Sequence, residues 1–393
     1  MRSVMIIYGT RPEAIKLAPL IMEMQSHPGI DPTIVVTAQH RSMLDQVNNI
    51  FGIAPDHDLN IIQARQTLAQ VTEHALSGLD PVIAAVKPEA VVVQGDTTTS
   101  FVAALAAFYH QVPVVHLEAG LRTHERYSPF PEEINRRLTS QIASLHLAPT
   151  WMSRRNLLEA GVSSRDVLVT GNTVIDALLW TVDRRPPFED SRLDQFCRDD
   201  RPMLLVTAHR RESWGSGMAA IADALAAIAE AEPDLRIVFP LHRNPIVRET
   251  IEPAVRRFDN LLLTEPQPYG TFARLMERAT LILTDSGGVQ EEGPSLGKPV
   301  LVMRENTERP EAVWAGTAQL VGTDKERIFT QVRRLLHDDV AYAAMANAVN
   351  PYGDGRAARR SVEAIACLLG DGKPPEEFRP RVASGSDIVA ASG

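Results

Sequence analysis

Short apolar runs recur along this chain, each closed by polar residues and followed by a stretch with helical spacing. That alternation constrains the fold more than any other feature. Val4 to Tyr8 is the first run, and Ile34 to Thr37, Ala90 to Val93 and Val112 to Leu117 follow. Uninterrupted apolar runs separated by helices point to parallel strands buried on both faces of a sheet. Pro12, just after the first run, suits the first position of a helix reaching about Gln25. Helical spacing recurs from about Leu68 to Val86, from Phe101 to Tyr109, from Glu132 to about Ser140 and from near Trp151.

The pattern breaks between about Thr181 and Pro202, a charged stretch with Pro186-Pro187, and then restarts. Met203 to Thr207, Arg236 to Phe239, Leu261 to Leu263, Leu281 to Leu283 and Val300 to Met303 read as a second set of strands. The expected division is a first domain over 1–175, a second over 176–355, and a final helix over about 356–370 that rejoins the first. Residues 372–393, rich in Pro, Ser and Gly, read as a flexible tail. A length of 393 residues favours two domains over one.

The net charge of −9 argues against a general nucleic-acid binder but leaves room for a local anion site. Cys197 and Cys367 lie far apart and form no metal or redox motif, which fits a reduced cytoplasmic compartment. The first apolar run is too short for a signal peptide, and no run is long enough for a membrane helix.

Polar residues gather just after one strand after another: Arg11, Gln39, Asp96, Glu118, His209, His242, Asp285 and Arg309. Open parallel sheets bind ligands outside the carboxyl ends of their strands. Two such sheets facing each other would form a cleft, and its basic residues could hold a diphosphate. Asp285-Ser286-Gly287-Gly288, before a helix expected over Val289 to Leu296, has two glycines at a strand-to-helix turn. They let the backbone approach an anion, and Glu291-Glu292 in the first turn could take ribose hydroxyls. On spacing alone, a turn that binds nothing is equally compatible. No G-x-G-x-x-G follows the first strand, the Gly293 to Lys298 stretch is not a P-loop, and neither zinc-ligand spacing nor G-x-S-x-G occurs.

Longer motifs then appear in a fixed order. They are Gly9-Thr-Arg-Pro-Glu-Ala-Ile-Lys16, Gln94-Gly-Asp96-Thr-Thr-Thr, His116-Leu-Glu118-Ala-Gly-Leu-Arg122, Pro129-Phe-Pro-Glu132-Glu-Ile-Asn-Arg136, Gly171-Asn-Thr-Val-Ile-Asp176, Thr207-Ala-His209-Arg-Arg-Glu212 and Ser286-Gly-Gly-Val-Gln-Glu-Glu292. Together they resemble the non-hydrolysing UDP-N-acetylglucosamine 2-epimerases from residue 9 to about 311. The resemblance implies an α/β, GT-B-like fold of two Rossmann-like doubly wound domains, with the active site in the interdomain cleft. It implies interconversion of UDP-GlcNAc and UDP-ManNAc through elimination of UDP to 2-acetamidoglucal, with no external cofactor and no metal.

Carried over by position, Asp96, Glu118 and Glu132 are the carboxylates around the sugar, and His209 assists UDP departure. Arg11, Lys16, Ser286, Gly287, Gly288, Glu292 and Arg309 join His209 in binding UDP. Alone, Asp96 could be a helix N-cap, Glu118 a strand-end carboxylate, Glu132 the first residue of a helix and Lys16 a helix-surface lysine. A second UDP-GlcNAc, acting as activator, would use Gln39, Arg65, Glu132, Arg210 and His242; Ser42 stands where several relatives have Gln. A homodimer is implied by the resemblance alone, with no nucleic acid or membrane partner. Three other functions compete: a hydrolysing epimerase, a GT-B glycosyltransferase and a non-enzymatic nucleotide-sugar binder. The set of three carboxylates argues against the transferase, which needs no chemistry at C2.

Overall fold

The computed structural model describes residues 1–38, 41–63 and 65–380. Its chain forms two compact units, Met1–Ala177 with Tyr352–Arg379, and Leu178–Pro351. The first unit holds a seven-stranded parallel sheet: β1 (Arg2–Tyr8), β2 (Ile30–Val36), β3 (His57–Asp58), β4 (Ala90–Gln94), β5 (Val114–Leu117), β6 (Leu145–Ala148) and β7 (Val167–Val169). Their spatial order is β3-β2-β1-β4-β5-β6-β7. Helices cover both faces, so Val4 through Tyr8 and Val91 through Val93 are fully buried.

The second unit repeats the plan with β8 (Met203–Thr207), β9 (Arg236–Pro240), β10 (Leu261–Thr264), β11 (Leu281–Thr284), β12 (Val300–Val302) and β13 (Ala318–Leu320). The order β10-β9-β8-β11-β12-β13 is again doubly wound. In each sheet the winding reverses beside the first strand, between β1 and β4 and between β8 and β11. Chain leaving these neighbours diverges to opposite faces, which opens a crevice at the carboxyl ends. Both units are therefore Rossmann-like, as the GT-B-like reading expects.

Local chemistry sets the helix ends. Thr67 accepts from the Gln70 N–H at 3.3 Å, and Gln70 returns a side-chain bond, opening the helix Leu68–Val86 with a capping box. The helix Thr98–Tyr109 opens before the predicted Phe101 because Thr97 accepts from the Ser100 N–H at 3.0 Å. The stretch Thr181 to Pro202 holds no strand; it ends the helix Thr173–Asp183 and contains the helix Ser191–Cys197, capped by Asp190. The final helix Ala357–Leu368 packs on Arg11–Ser26, and Asp176 accepts from the Ala357 and Ala358 N–H groups at 3.2 and 2.8 Å.

The chain beyond Gly372 departs from the expected flexible tail as far as Arg379. Phe378 is buried, its N–H donates to the Val169 carbonyl at 2.8 Å, and Trp151 Nε1 donates to the Phe378 carbonyl at 3.0 Å. An apolar side chain and an open β7 edge outweigh the Pro-rich composition there. The rest of the predicted tail, 381–393, lies outside the described residues. No described helix is long and apolar enough to cross a membrane.

Candidate functional site

In the first unit, the ends of β1, β4 and β5 carry the polar residues. Gly9 follows β1, and a Cβ there would meet Thr37 Oγ1 at 2.1 Å and Thr99 Oγ1 at 2.7 Å, so packing alone requires glycine. Glu13, one turn into the next helix, is buried. Its Oε2 accepts the Gly9 and Thr10 N–H groups at 3.1 and 2.8 Å, and its Oε1 accepts Thr97 Oγ1 at 2.7 Å. Burial raises its pKa against these hydrogen bonds. Glu13 thus ties the loop after β1 to the loop after β4.

Glu118 follows β5 with φ of 62°, a left-handed conformation that costs a non-glycine residue about 1–2 kcal/mol. The side chain is 5% exposed and heavily bonded. Lys16 Nζ lies 2.5 and 2.6 Å from its two oxygens, Asn172 Nδ2 donates to Oε1 at 3.1 Å, and Gln94 Nε2 donates to Oε2. A buried carboxylate needs such pairing to stay charged. Lys16 is therefore not a solvated surface lysine, and Glu118 is more than a strand-end cap. The backbone beyond it passes against the helix Trp151–Glu159: a Cβ at Gly120 would stand 2.2 Å from the Ser153 carbonyl.

Asp96 does not cap the following helix, because Thr97 does. The Asp96 carboxylate instead receives Arg136 Nη2, and its carbonyl receives Asn135 Nδ2 at 3.0 Å. Arg136 is in turn held by Glu133 at 3.3 Å. Burial pushes the Glu133 pKa up, but hydrogen bonds from Thr123 and Arg137 and the charges of Arg136 and Arg137 hold it below the usual carboxylate range. His116 on β5 donates Nε2–H to the Gly95 carbonyl at 2.7 Å, fixing the peptide just before Asp96. Glu132 is the first residue of the helix Glu132–Ile142, and its buried Oε2 has no hydrogen-bond partner among the described residues. Such an orphaned oxygen costs about 1–3 kcal/mol and marks a candidate ligand contact. Arg11 is partly buried at the start of its helix.

In the second unit, the same crevice lies between β8 and β11. Asp285, fully buried, follows β11 and reaches across to the loop after β8. Its Oδ2 accepts the His209 and Arg210 N–H groups at 2.6 and 2.7 Å, and His209 Nδ1 stands 2.9 Å from its Oδ1. Burial raises the Asp285 pKa, but the closeness of His209 and the two N–H groups outweigh it and hold it below the usual carboxylate range. The His209 ring stacks on His242 at 6.0 Å and 23°. His242 Nδ1 accepts the Asn244 N–H at 3.1 Å, and its pKa is lowered by burial and by His209.

The helix after Asp285 is shorter and earlier than expected, Gly287–Glu292, followed by a 3-10 turn at Gly293–Leu296. Glu291-Glu292 therefore closes this helix rather than opening it. Ser286 precedes it, its N–H already bonded to Thr284 Oγ1 at 2.9 Å. A Cβ at Gly287 would lie 3.8 Å from Arg210 Nη2, an ordinary contact, so packing within the chain does not demand glycine there. At Gly288 a Cβ would come 3.3 Å from Glu292 Oε1. Arg309 pairs with buried Glu291, and Arg304 joins Glu212 and Glu308, both at 2.6 Å. These pairs fix the loop after β12 against the glycine turn and the loop after β8.

The structure therefore gathers Lys16, Asp96 and Glu118 in one unit, and His209, Ser286, Gly287, Gly288, Glu292 and Arg309 at the strand ends of the other. The proposed activator residues divide between units: Arg65 and Glu132 belong to the first, Arg210 and His242 to the second. Gln39 lies outside the described residues. Sequence reasoning did not assign Asp285, Arg136, Gln94 or Asn172 to the site. Asp285 had a signal, since it closes an apolar run as Asp96 does; Arg136 shows its partner only in three dimensions.

The family model described as UDP-N-acetylglucosamine 2-epimerase matches residues 22–366. The UDP-N-acetylglucosamine 2-epimerase of Escherichia coli K12 is 53% identical over 367 residues, covering 92% of this chain and 98% of its own. Among solved structures, the UDP-GlcNAc 2-epimerase of Neisseria meningitidis bound to UDP-GlcNAc is 46% identical with a TM-score of 0.83, over 94% of this chain and 100% of that one. The Methanocaldococcus jannaschii UDP-GlcNAc 2-epimerase, solved with UDP-GlcNAc and UDP, is 34% identical with a TM-score of 0.75, over 94% and 99%.

Proposed function

Because the chain belongs to the UDP-N-acetylglucosamine 2-epimerase family, we propose that it interconverts UDP-GlcNAc and UDP-ManNAc by eliminating UDP and adding it back. The C2 proton is not acidic, since no carbonyl adjoins C2 on the ring. In elimination, the C2–H proton passes to a carboxylate and its electron pair forms the C1–C2 double bond. The C1–O pair leaves with UDP. Reversal with protonation on the other face of C2 gives the epimer.

In this reading Asp96 and Glu118 carry the proton transfers, and Glu132 contacts the sugar with its orphaned oxygen. Lys16 keeps Glu118 charged. His209, Arg11 and Arg309 stabilise the departing diphosphate. Ser286, Gly287 and Gly288 hold that diphosphate, and Glu292 takes the ribose. The observation that carries the reading is the bonding of Glu118. Lys16, Gln94 and Asn172 gather on a buried carboxylate held in left-handed backbone, an arrangement that a surface strand end would not need. The relatives solved with UDP-GlcNAc and UDP support the choice of substrate. We further propose a homodimer, and UDP-GlcNAc as its own activator.

Incubation with UDP-GlcNAc in D2O, followed by NMR, tests this reading. Deuterium at C2 and a growing UDP-ManNAc signal are expected. Free ManNAc accumulating with UDP would replace the proposal with hydrolysis. No reaction of UDP-GlcNAc or UDP-ManNAc would leave a transferase or a binder.

A further inference from the structure

Asp285 is buried, charged and close to His209, yet the proposed chemistry gives it no role. We infer that Asp285 is a positioning residue that locks the His209 imidazole with its Nδ1–H on Asp285 and its Nε2 turned outward, and so selects the nitrogen that meets the diphosphate. The inference rests on the proposed role of His209 at the departing UDP.

The geometry leaves Asp285 little freedom. Its Oδ2 is held by the His209 and Arg210 N–H groups at 2.6 and 2.7 Å, which fixes the carboxylate plane. Its own N–H donates to the Thr207 carbonyl at 3.2 Å, fixing the backbone against β8. Oδ1 then lies 2.9 Å from His209 Nδ1, within ion-pair reach but short of hydrogen-bond alignment, and has no other partner among the described residues. A carboxylate oxygen at that distance repels the lone pair of an unprotonated Nδ1 and attracts a proton there, and a small rotation of the ring completes the bond. In the neutral ring, Nε2 is then the basic nitrogen. Once that ring is protonated, Nε2–H becomes the donor toward a phosphate oxygen. The other facing titratable group, His242, stacks on the ring and has its Nδ1 occupied by the Asn244 N–H, so it does not compete for Asp285. Among charged neighbours, Arg210 shares Asp285 through its backbone, and Arg248 acts on His242.

The first measurement needs no variant of Asp285. With 15N-histidine labelling, the His209 ring is assigned by its loss in His209→Gln, and its neutral tautomer is read by NMR above its titration. Nδ1–H is expected; Nε2–H overturns the inference. In the second arm, Asp285→Asn keeps the shape. Its amide oxygen must face the two backbone N–H groups, which turns its NH2 toward Nδ1 and drives the ring to Nε2–H. The expected result is a kcat lower by ~10²-fold or more, because the neutral amide no longer balances an imidazolium that donates Nε2–H to the leaving diphosphate, with KM and the UDP dissociation constant changed by less than about threefold. Equal losses in kcat and UDP affinity with the tautomer unchanged would reduce Asp285 to a structural tie and overturn the inference. If Asp285→Asn does not fold, the wild-type tautomer decides. The tautomer is measured without turnover, so it remains readable even if the wild-type protein fails to exchange C2 deuterium, a failure that would count against the epimerase reading instead.

Discussion

His116 and His146 face each other across β5 and β6, both almost fully buried, and this makes the first unit sensitive to acid. Burial, then the charge of the neighbouring histidine, lowers the His116 pKa to about 3. Burial lowers His146 to about 4, with Arg122 acting in the same direction and Asp166 opposing. Both folded values lie below the 6.5 of an exposed histidine, so the unfolded chain binds more protons and stability is lost as pH falls below 6.5. For His146 alone, the two-state linkage expression gives a loss of about 2 kcal/mol on going from pH 7 to pH 5. Asp176 acts the other way, because burial raises its pKa to about 6 and acid stabilises its folded form. Its contribution cancels when two proteins are compared at each pH. His146→Leu removes one buried proton site at similar volume. Urea unfolding of wild type and variant at pH 7 and pH 5 should show the variant losing about 2 kcal/mol less stability. Parallel losses in the two proteins would refute the reasoning, since His146 would then not be held neutral by the fold.

Other consequences follow from single contacts. Asp96→Asn should abolish C2 deuterium exchange while UDP binding by calorimetry stays within about threefold; normal exchange would remove Asp96 from the proton transfers. Lys16→Met leaves Glu118 buried without its cation, and kcat for UDP-GlcNAc should fall ~10²-fold or more. Gly120→Ala forces a Cβ into the Ser153 carbonyl in a backbone with φ of 93°, and urea unfolding should show a loss of over ~2 kcal/mol. Phe378→Ala should cost the first unit about 3 kcal/mol, read as earlier unfolding of the Trp151 environment.

The two doubly wound sheets were legible because buried parallel strands leave uninterrupted apolar runs. His57–Asp58 has no apolar residue and Ala318–Leu320 is interrupted by Gln319, so neither leaves such a run. Lys16 looked like a surface lysine from its helix, because its partner Glu118 lies elsewhere in sequence. Asp96 looked like a cap until Thr97 took that role and Arg136 took the carboxylate. The family motifs brought Asp96, Glu118 and His209 into view. They gave no role to Arg136, which ends one of them, or to Asp285, which lies just outside another, although these residues bond to Asp96 and to the His209 backbone. Phe378 shows the same limit at the chain's end, where one buried ring outweighs a composition that reads as disordered.

Breakage of the C1–O bond is the central claim, and an isotope label reads it directly. UDP-GlcNAc carrying 18O in the bridge between C1 and the β-phosphorus is incubated with the protein and followed by 31P NMR. Elimination releases UDP with a freely turning phosphate, so the label should move into the non-bridging β-phosphate positions while UDP-ManNAc forms. UDP-ManNAc appearing with the label still wholly in the bridge would contradict the account.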